Sequence, residues 1–362
     1  MSLWVVVGGQ YGGEGKGKIS AFITQREDID VCIRCGGPNS GHTFVTEKGQ
    51  TMLLRQLPTG YIRPQTRVLI PAGALIDLEV LKQELDALAL DPRRVGVDRN
   101  AMIIESGDKE REVGLQMRER LSSTLCGVGS AVARRALRGA EVRTAEIAGK
   151  QIPWLEELIT NVSEEANSAL DHGKKVLVEG TQGFGLSLYH SDSYPKATSR
   201  DTTAAGFLSE VGLSPLLVTE IVLVFRTFPI RVAGEQAGPL KDEITWETVQ
   251  RESGYPVPVH EMTTVSKKLR RVGRFDWNQA VEAVRVNRPT RLAVNGLDFL
   301  GYKNKGVHDI GSLTRNGVSF LNRVQATCGV PVWLYGTSPD VVAVLLGVKG
   351  EQEFTKVEEL CV

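Results

Sequence analysis

The feature that most constrains this chain is the run that follows its first apolar segment. Residues 3–7, Leu-Trp-Val-Val-Val, lead into Gly8-Gly9-Gln10-Tyr11-Gly12-Gly13-Glu14-Gly15-Lys16-Gly17-Lys18. A glycine-dense turn between a buried strand and a helix, with lysines at the helix start, lets backbone N–H and ammonium groups converge on phosphate oxygens. Strand, tight turn and helix in succession form the opening unit of an α/β sheet. The spacing Gly12-x4-Gly17-Lys18 nearly matches the Walker pattern, but Ile19 takes the place of the hydroxyl that holds Mg²⁺, and Ser20 falls one residue late. A standard P-loop kinase or GTPase is therefore disfavoured. A plain tight turn would have no use for two lysines.

Short apolar runs alternate with amphipathic stretches along the rest of the chain, which predicts an α/β protein with a central, mostly parallel sheet flanked by helices. Strands are expected at 3–7, 30–34, 67–70, 175–179, 220–226, 291–295 and 331–335. Helices are expected at 78–90, 276–286 and 314–327. Another should start at Pro153 and run to Gly173, with Leu155, Leu158, Ile159, Val162, Ala166, Ala169 and Leu170 on one face. Residues 230–266, rich in Gly, Pro and charge, read as functional loops. No linker or repeat divides the chain, so 1–362 is expected to be a single catalytic domain with loop and helical excursions.

With 43 Lys+Arg against 43 Asp+Glu, nothing attracts nucleic acid or an anionic membrane as a whole, and any phosphate must be held by local groups. No apolar stretch approaches the roughly 20 residues of a membrane span. The N-terminus lacks the basic start and apolar length of a signal peptide, which points to the cytoplasm, the host's if the protein is viral. Five scattered cysteines, Cys32, Cys35, Cys126, Cys328 and Cys361, read as reduced thiols. The Cys32–Cys35 pair falls on a strand and has no second pair to complete a zinc site.

The segment Gly8-x-Gln10-Tyr11-Gly12-Gly13-Glu14-Gly15-Lys16-Gly17-Lys18 resembles the opening G-x-Q-W-G-D-E-G-K-G-K of adenylosuccinate synthetases. Further blocks follow in that family's order: Gly36-Gly37-Pro38-Asn39-Ser40-Gly41-His42-Thr43, then Glu179-Gly180-Thr181-Gln182-Gly183, Tyr194-Pro195-Lys196-Ala197-Thr198-Ser199 and Thr202-Thr203-Ala204. The length is similar to that of the compact archaeal members. The resemblance implies a P-loop-related α/β fold and a ligase that joins L-aspartate to carbon 6 of a purine nucleotide. A nucleoside triphosphate first phosphorylates the purine O6, and the aspartate amine then displaces phosphate. Such chemistry needs a phosphate loop, Mg²⁺ and cationic clamps.

Residue by residue, the resemblance implies that Gly12, Gly13, Glu14, Gly15, Lys16, Gly17 and Lys18 form the phosphate loop, with Lys16 touching the transferring phosphoryl group. His42 matches a general acid at the leaving phosphate oxygen, and Gln182 an amide at the purine O6. Asn39, Ser123, Thr124, Thr198 and Val232 fall with the acceptor-nucleotide site, and Gly41 and Gly13 with the metal. Gapless alignment puts Arg138 on an arginine that reaches the neighbouring subunit's nucleotide phosphate, implying a homodimer, with Arg134 the alternate. Val265, Ser266, Lys268 and Arg270 stand in the aspartate clamp, where Lys268 replaces an arginine. Asp298 and Gly336-Thr337-Ser338-Pro339 resemble the pocket for the triphosphate's base. Gly296 there replaces a lysine, which favours ATP or dATP as donor and leaves GTP possible.

Position 13 departs from the family, which carries an aspartate there that removes the purine N1 proton and binds Mg²⁺. Glycine can do neither, so either catalysis is lost or the substrate differs. Losing the carboxylate should empty space beside N1 and C2, where a 2-amino group would sit. A phage-encoded branch of the family lacks this aspartate and acts on dGMP, and this chain resembles it. An ordinary synthetase acting on inosine monophosphate and a noncatalytic nucleotide-binding homologue remain the alternatives.

Overall fold

The computed structural model describes residues 2–46, 48–139, 142–263, 268–340 and 342–344. Its frame is a ten-stranded sheet, with strands in chain order β1 (Ser2–Gly8), β2 (Val31–Arg34), β3 (Arg67–Ile70), β4 (Val95–Asp98), β5 (Ile159–Thr160), β6 (Lys175–Glu179), β7 (Val218–Arg226), β8 (Arg291–Asn295), β9 (Val332–Gly336) and β10 (Val342–Val344). Their spatial order is β10-β9-β8-β7-β1-β6-β2-β3-β4-β5. Only β10 is antiparallel to its neighbour.

Strand β1 lies at the centre and is apolar on both faces, as a covered parallel strand must be. Leu3, Val5 and Val7 pack with the helices Val162–Asp171, Ala204–Val211, Trp277–Asn287 and Arg315–Cys328. Trp4 and Val6 point the other way, to Ile19 and Ile23 of helix Lys16–Arg26. The strands and the helices near 78, 276 and 314 lie within a few residues of their expected places. Cys32, Cys35, Cys126 and Cys328 are free and buried, and Cys361 lies outside the described residues.

Two expectations are corrected. The helix expected from Pro153 to Gly173 is two helices, Pro153–Glu156 and Val162–Asp171. Between them Ile159 and Thr160 pair with Val97 and Asp98 to extend the sheet by one strand. Asn161 caps the second helix by accepting from the Glu164 N–H, while the Asp98 carboxylate takes the Val162 N–H at 2.9 Å. The stretch 230–266 is likewise not all loop. Ile230–Arg231 and Glu243–Ile244 both pair with Arg271–Gly273, and helix Trp246–Ser253 packs against them through Trp246 and Val249.

Candidate active site

Parallel strands expose their carboxyl ends along one edge of a sheet, and ligands bind there. In the five adjacent strands β8, β7, β1, β6 and β2 the final residues are Asn295, Arg226, Gly8, Glu179 and Arg34. Four of these five are polar or charged, and all four are buried.

The glycine loop leaves β1 and ends at Gly15, whose φ of 91° lies in the left-handed region and which precedes helix Lys16–Arg26. Glu14 folds back to brace the loop: its carboxylate accepts the Gln10 N–H at 3.1 Å, the Gly12 N–H at 2.8 Å and the Lys16 ammonium at 2.6 Å. Lys16 also donates to the Gln182 carbonyl, and almost none of its side chain is exposed. The expectation that packing has no use for lysines in this loop is thus corrected, because Lys16 is the loop's internal counter-ion. Lys18 donates to the Ser338 carbonyl at 2.9 Å, and burial pulls its ammonium down to about 8. Ile19 is core, and the Ser20 hydroxyl is buried, so neither offers a metal ligand.

Gly17 allows the next approach, since a Cβ there would lie 2.6 Å from that of His42. His42 begins the hairpin His42–Val45/Thr51–Leu54. Its Nδ1 meets the Glu179 carboxylate, which also accepts from Arg34 at 2.9 Å and from the Thr59 N–H and hydroxyl at 2.9 and 2.7 Å. Burial pulls the imidazole down to about 4; Arg34 and Lys16 act in the same direction, and Glu179 opposes them. Burial alone would raise the Glu179 carboxyl, but His42, Arg34 and Thr59 together hold it below the usual carboxylate range. The imidazole is therefore neutral with its proton on Nδ1, and Nε2 is buried with no hydrogen-bond partner among the described residues. Glu179, Arg34 and Thr59 escaped the sequence reading as site residues, although Glu179 stands inside a block already singled out.

Beside this pair opens a cleft of about 590 Å³. Of the expected acceptor-site residues, Asn39, Ser123, Thr124, Gln182, Thr198 and Val232 all line it, together with Gly12, Gly13, Gly41, Lys268 and Arg270. Gln182 takes a left-handed φ of 61° and donates its amide to the Thr198 hydroxyl at 2.7 Å. Glu112 accepts the N–H groups of Gly127 and Gly129 at 3.0 and 2.9 Å, fixing the segment after Thr124. Arg231, over the Tyr11 ring at 4.4 Å, is a further wall residue that the sequence did not single out.

Val265 and Ser266 lie outside the described residues. Arg226 donates to the Gly13 carbonyl at 3.0 Å and pairs with Glu261, whose own carbonyl accepts the Arg270 N–H. Arg270 is thus tied through Glu261 and Arg226 to the glycine loop. Two expectations for Gly13 do not hold. Its carbonyl already faces a guanidinium, which opposes a metal ion there, and the space along its side-chain direction is filled by Ile230, whose Cδ1 would lie 2.7 Å from a Cβ. Among the described residues no group of three or more His, Cys, Asp or Glu side chains could hold a metal.

Asp298, Gly336, Thr337 and Ser338 follow or close β8 and β9, Pro339 comes next, and none of them lines the cleft. There Tyr255 donates to the Asp298 carboxylate, and a Cβ on Gly336 would fall 2.4 Å from the Lys18 ammonium. Arg138 is exposed at the end of helix Val128–Leu137 and does not line the cleft of its own chain. Arg134 is corrected as its alternate: its guanidinium binds Asp108 at 3.0 and 2.6 Å inside the protein.

Comparison with known proteins accords with this geometry. The family model for adenylosuccinate synthetase matches residues 5–153 and 148–305. The adenylosuccinate synthetase of Thermococcus sibiricus is 41% identical over 94% of this chain and 97% of its own, and that of Pyrococcus horikoshii is 39% identical over 93% and 96%. Among solved structures, succinoaminodeoxyadenylate synthetase (PurZ) of cyanophage S-2L, bound to dGMP and to dATP as an energy donor, superposes with a TM-score of 0.79 at 28% identity, covering 95% of each chain. Plasmodium falciparum adenylosuccinate synthetase, at 19% identity and a TM-score of 0.81 over 95% of this chain and 100% of its own, has the same fold. From the glycine loop to the strand-end Glu179, and along nearly its whole length, the chain belongs to the adenylosuccinate synthetase family.

Proposed function

We propose that this chain joins L-aspartate to C6 of dGMP at the expense of a nucleoside triphosphate, giving 2-amino-2′-deoxy-N6-succinyl-AMP, which feeds synthesis of 2-aminoadenine DNA. The observation that carries this reading is Gly13: residue 13 lines the cleft without a carboxylate, while His42 and Glu179 stay paired beside it and Gln182 lines it. The dGMP and dATP bound by the cyanophage relative support the same reading.

In the first step the guanine O6 bonds to the γ-phosphorus, the bond to the β-phosphate oxygen breaks, and the N1 proton passes to water or to a substrate phosphate oxygen, since Gly13 supplies no base. Gln182 donates to O6, and Lys16 balances charge on the transferring group. His42 Nε2 faces the leaving oxygen, whose anionic neighbourhood raises the imidazole's proton affinity. The second step forms the N–C6 bond as the C6–O bond breaks, and the amine's surplus proton leaves with the released phosphate. Asn39, Ser123, Thr124, Thr198 and Val232 hold the acceptor nucleotide, with Arg138 of a second copy completing its phosphate site in a homodimer. Val265, Ser266, Lys268 and Arg270 hold aspartate. Asp298 and residues 336–339 take the donor base, with ATP or dATP favoured over GTP. Mg²⁺, which neutralises phosphate charge in such transfers, would be held by the nucleotide phosphates and the Gly41 carbonyl, because the described residues supply no carboxylate cage.

The archaeal relatives, named adenylosuccinate synthetase, favour inosine monophosphate as the alternative acceptor. Incubation with aspartate, Mg²⁺ and ATP, dATP or GTP, with dGMP, GMP or inosine monophosphate as acceptor and products followed by mass, separates the readings. The succinylated 2-aminopurine deoxynucleotide is expected. Product from inosine monophosphate alone would reject the dGMP assignment, and no product from any acceptor would reject catalysis.

A further inference from the structure

Position 13 is closed from behind as well as stripped of its carboxylate. Gly13 has a φ of +73°, a region that aspartate and asparagine tolerate better than other side chains, so the backbone alone does not bar a carboxylate. What bars it is Ile230. A Cβ at residue 13 would lie 2.7 Å from Ile230 Cδ1 and 3.1 Å from its Cγ1.

Neither partner can retreat easily. The loop is held by Arg226 on the Gly13 carbonyl at 3.0 Å, by Glu14 on the Gly12 N–H at 2.8 Å and by Asn295 on the Glu14 carbonyl at 2.7 Å. Ile230 is 1% exposed, pairs with Val272 and packs among Phe228, Trp246, Val249 and Val272. Arg231 and Val232, the next two residues, line the cleft, so any shift of Ile230 moves its wall.

We infer that Ile230 is a specificity-determining partner of Gly13. Its terminal methyl holds residue 13 to glycine and keeps a carboxylate away from the N1 and C2 edge of the acceptor purine, and the two positions set acceptor choice as a pair. The inference deepens the dGMP reading and rests on it for the direction of the selectivity change. The contact between the two residues does not depend on that reading.

The test is a double-mutant cycle of wild type, Gly13→Asp, Ile230→Val and Gly13→Asp/Ile230→Val, because valine lacks the one carbon at 2.7 Å and keeps the β-branched core shape. Each protein is assayed for kcat/KM with dGMP and with deoxyinosine monophosphate, and for its thermal midpoint. Gly13→Asp alone should lose about tenfold or more with both acceptors and melt earlier, since overpacking displaces the loop. The double variant should regain about tenfold with deoxyinosine monophosphate but not with dGMP, and recover its midpoint. Additive effects in both measurements would overturn the pairing. Recovery of the midpoint with an unchanged acceptor ratio would overturn the specificity role. If Gly13→Asp fails to fold, the double variant's midpoint and acceptor ratio, read against Ile230→Val, decide the matter. The wild-type acceptor preference, read first, tests the dGMP assignment separately: a wild type preferring deoxyinosine monophosphate rejects that assignment, whereas the cycle's coupling measures the contact in either case.

Discussion

At His42 burial lowers the proton affinity of the ring, while a single buried carboxylate sets its tautomer and opposes that fall. Glu179 takes the Nδ1 proton, leaving Nε2 as an unoccupied acceptor toward the loop. His42→Ala should lower kcat by roughly 10²–10⁴-fold with a smaller change in substrate KM, measured in steady state with saturating donor. Glu179→Gln removes the influence that raises the imidazole pKa, so the alkaline limb that the general acid sets in the pH–rate profile should move to lower pH, a change that a merely structural glutamate would not cause. The same shift links to stability. The folded-state value of about 4 lies below the ordinary 6.5, so the unfolded chain binds more protons between these limits. The contribution is therefore complete above about pH 6.5 and is lost as the pH falls through about 4. In His42→Gln, urea midpoints across that window should fall less steeply than in wild type.

Among the elements, the helices Ser106–Gly114 and Val128–Leu137 decide where Ser123 and Thr124 stand. The first supplies Asp108 to Arg134 and Glu112 to the start of the second, and the cleft segment 122–127 is strung between them. Asp108→Asn keeps the shape but removes the carboxylate charge that faces the guanidinium of Arg134 inside the protein. Breaking a buried pair in this way costs about 3–5 kcal/mol, which urea unfolding would register. Because the same contacts place Ser123 and Thr124, the KM for the acceptor nucleotide should rise while that for the donor holds. Equal rises in both would show that the helix pair does not position the acceptor site.

For the whole molecule the decisive residue is Arg138, exposed at a helix end beside Leu137, itself 73% exposed. Val113 and Leu115 on the neighbouring helix and its end add further exposed apolar surface. If Arg138 serves the partner's cleft, neither Arg138→Ala nor Lys16→Ala alone should turn over well. In their heterodimer one of the two sites carries neither defect, so a random equimolar mixture should regain about a quarter of wild-type activity. A demonstrated heterodimer without recovery would confine each site to one subunit.

The sequence by itself determined whatever the chain specifies over a few residues. Period-two alternation sends Leu3, Val5 and Val7 to one face of β1 and Trp4 and Val6 to the other. Closely spaced glycines and lysines announce the phosphate loop, and ordered blocks place Asn39, Gln182 and Thr198 around one cleft. Tertiary structure alone decided what depends on sheet order. His42 meets Glu179 across 137 positions, and Arg226 meets the Gly13 carbonyl across 213, because β6 and β7 flank β1. The helix expected from 153 to 173 divides because 159–160 gain edge pairing that no periodicity encodes. Ile230 fills the space behind Gly13 for the same reason: a glycine declares the freedom of its own backbone, while the occupant of its missing side chain's volume is chosen by whichever strand the fold brings beside it.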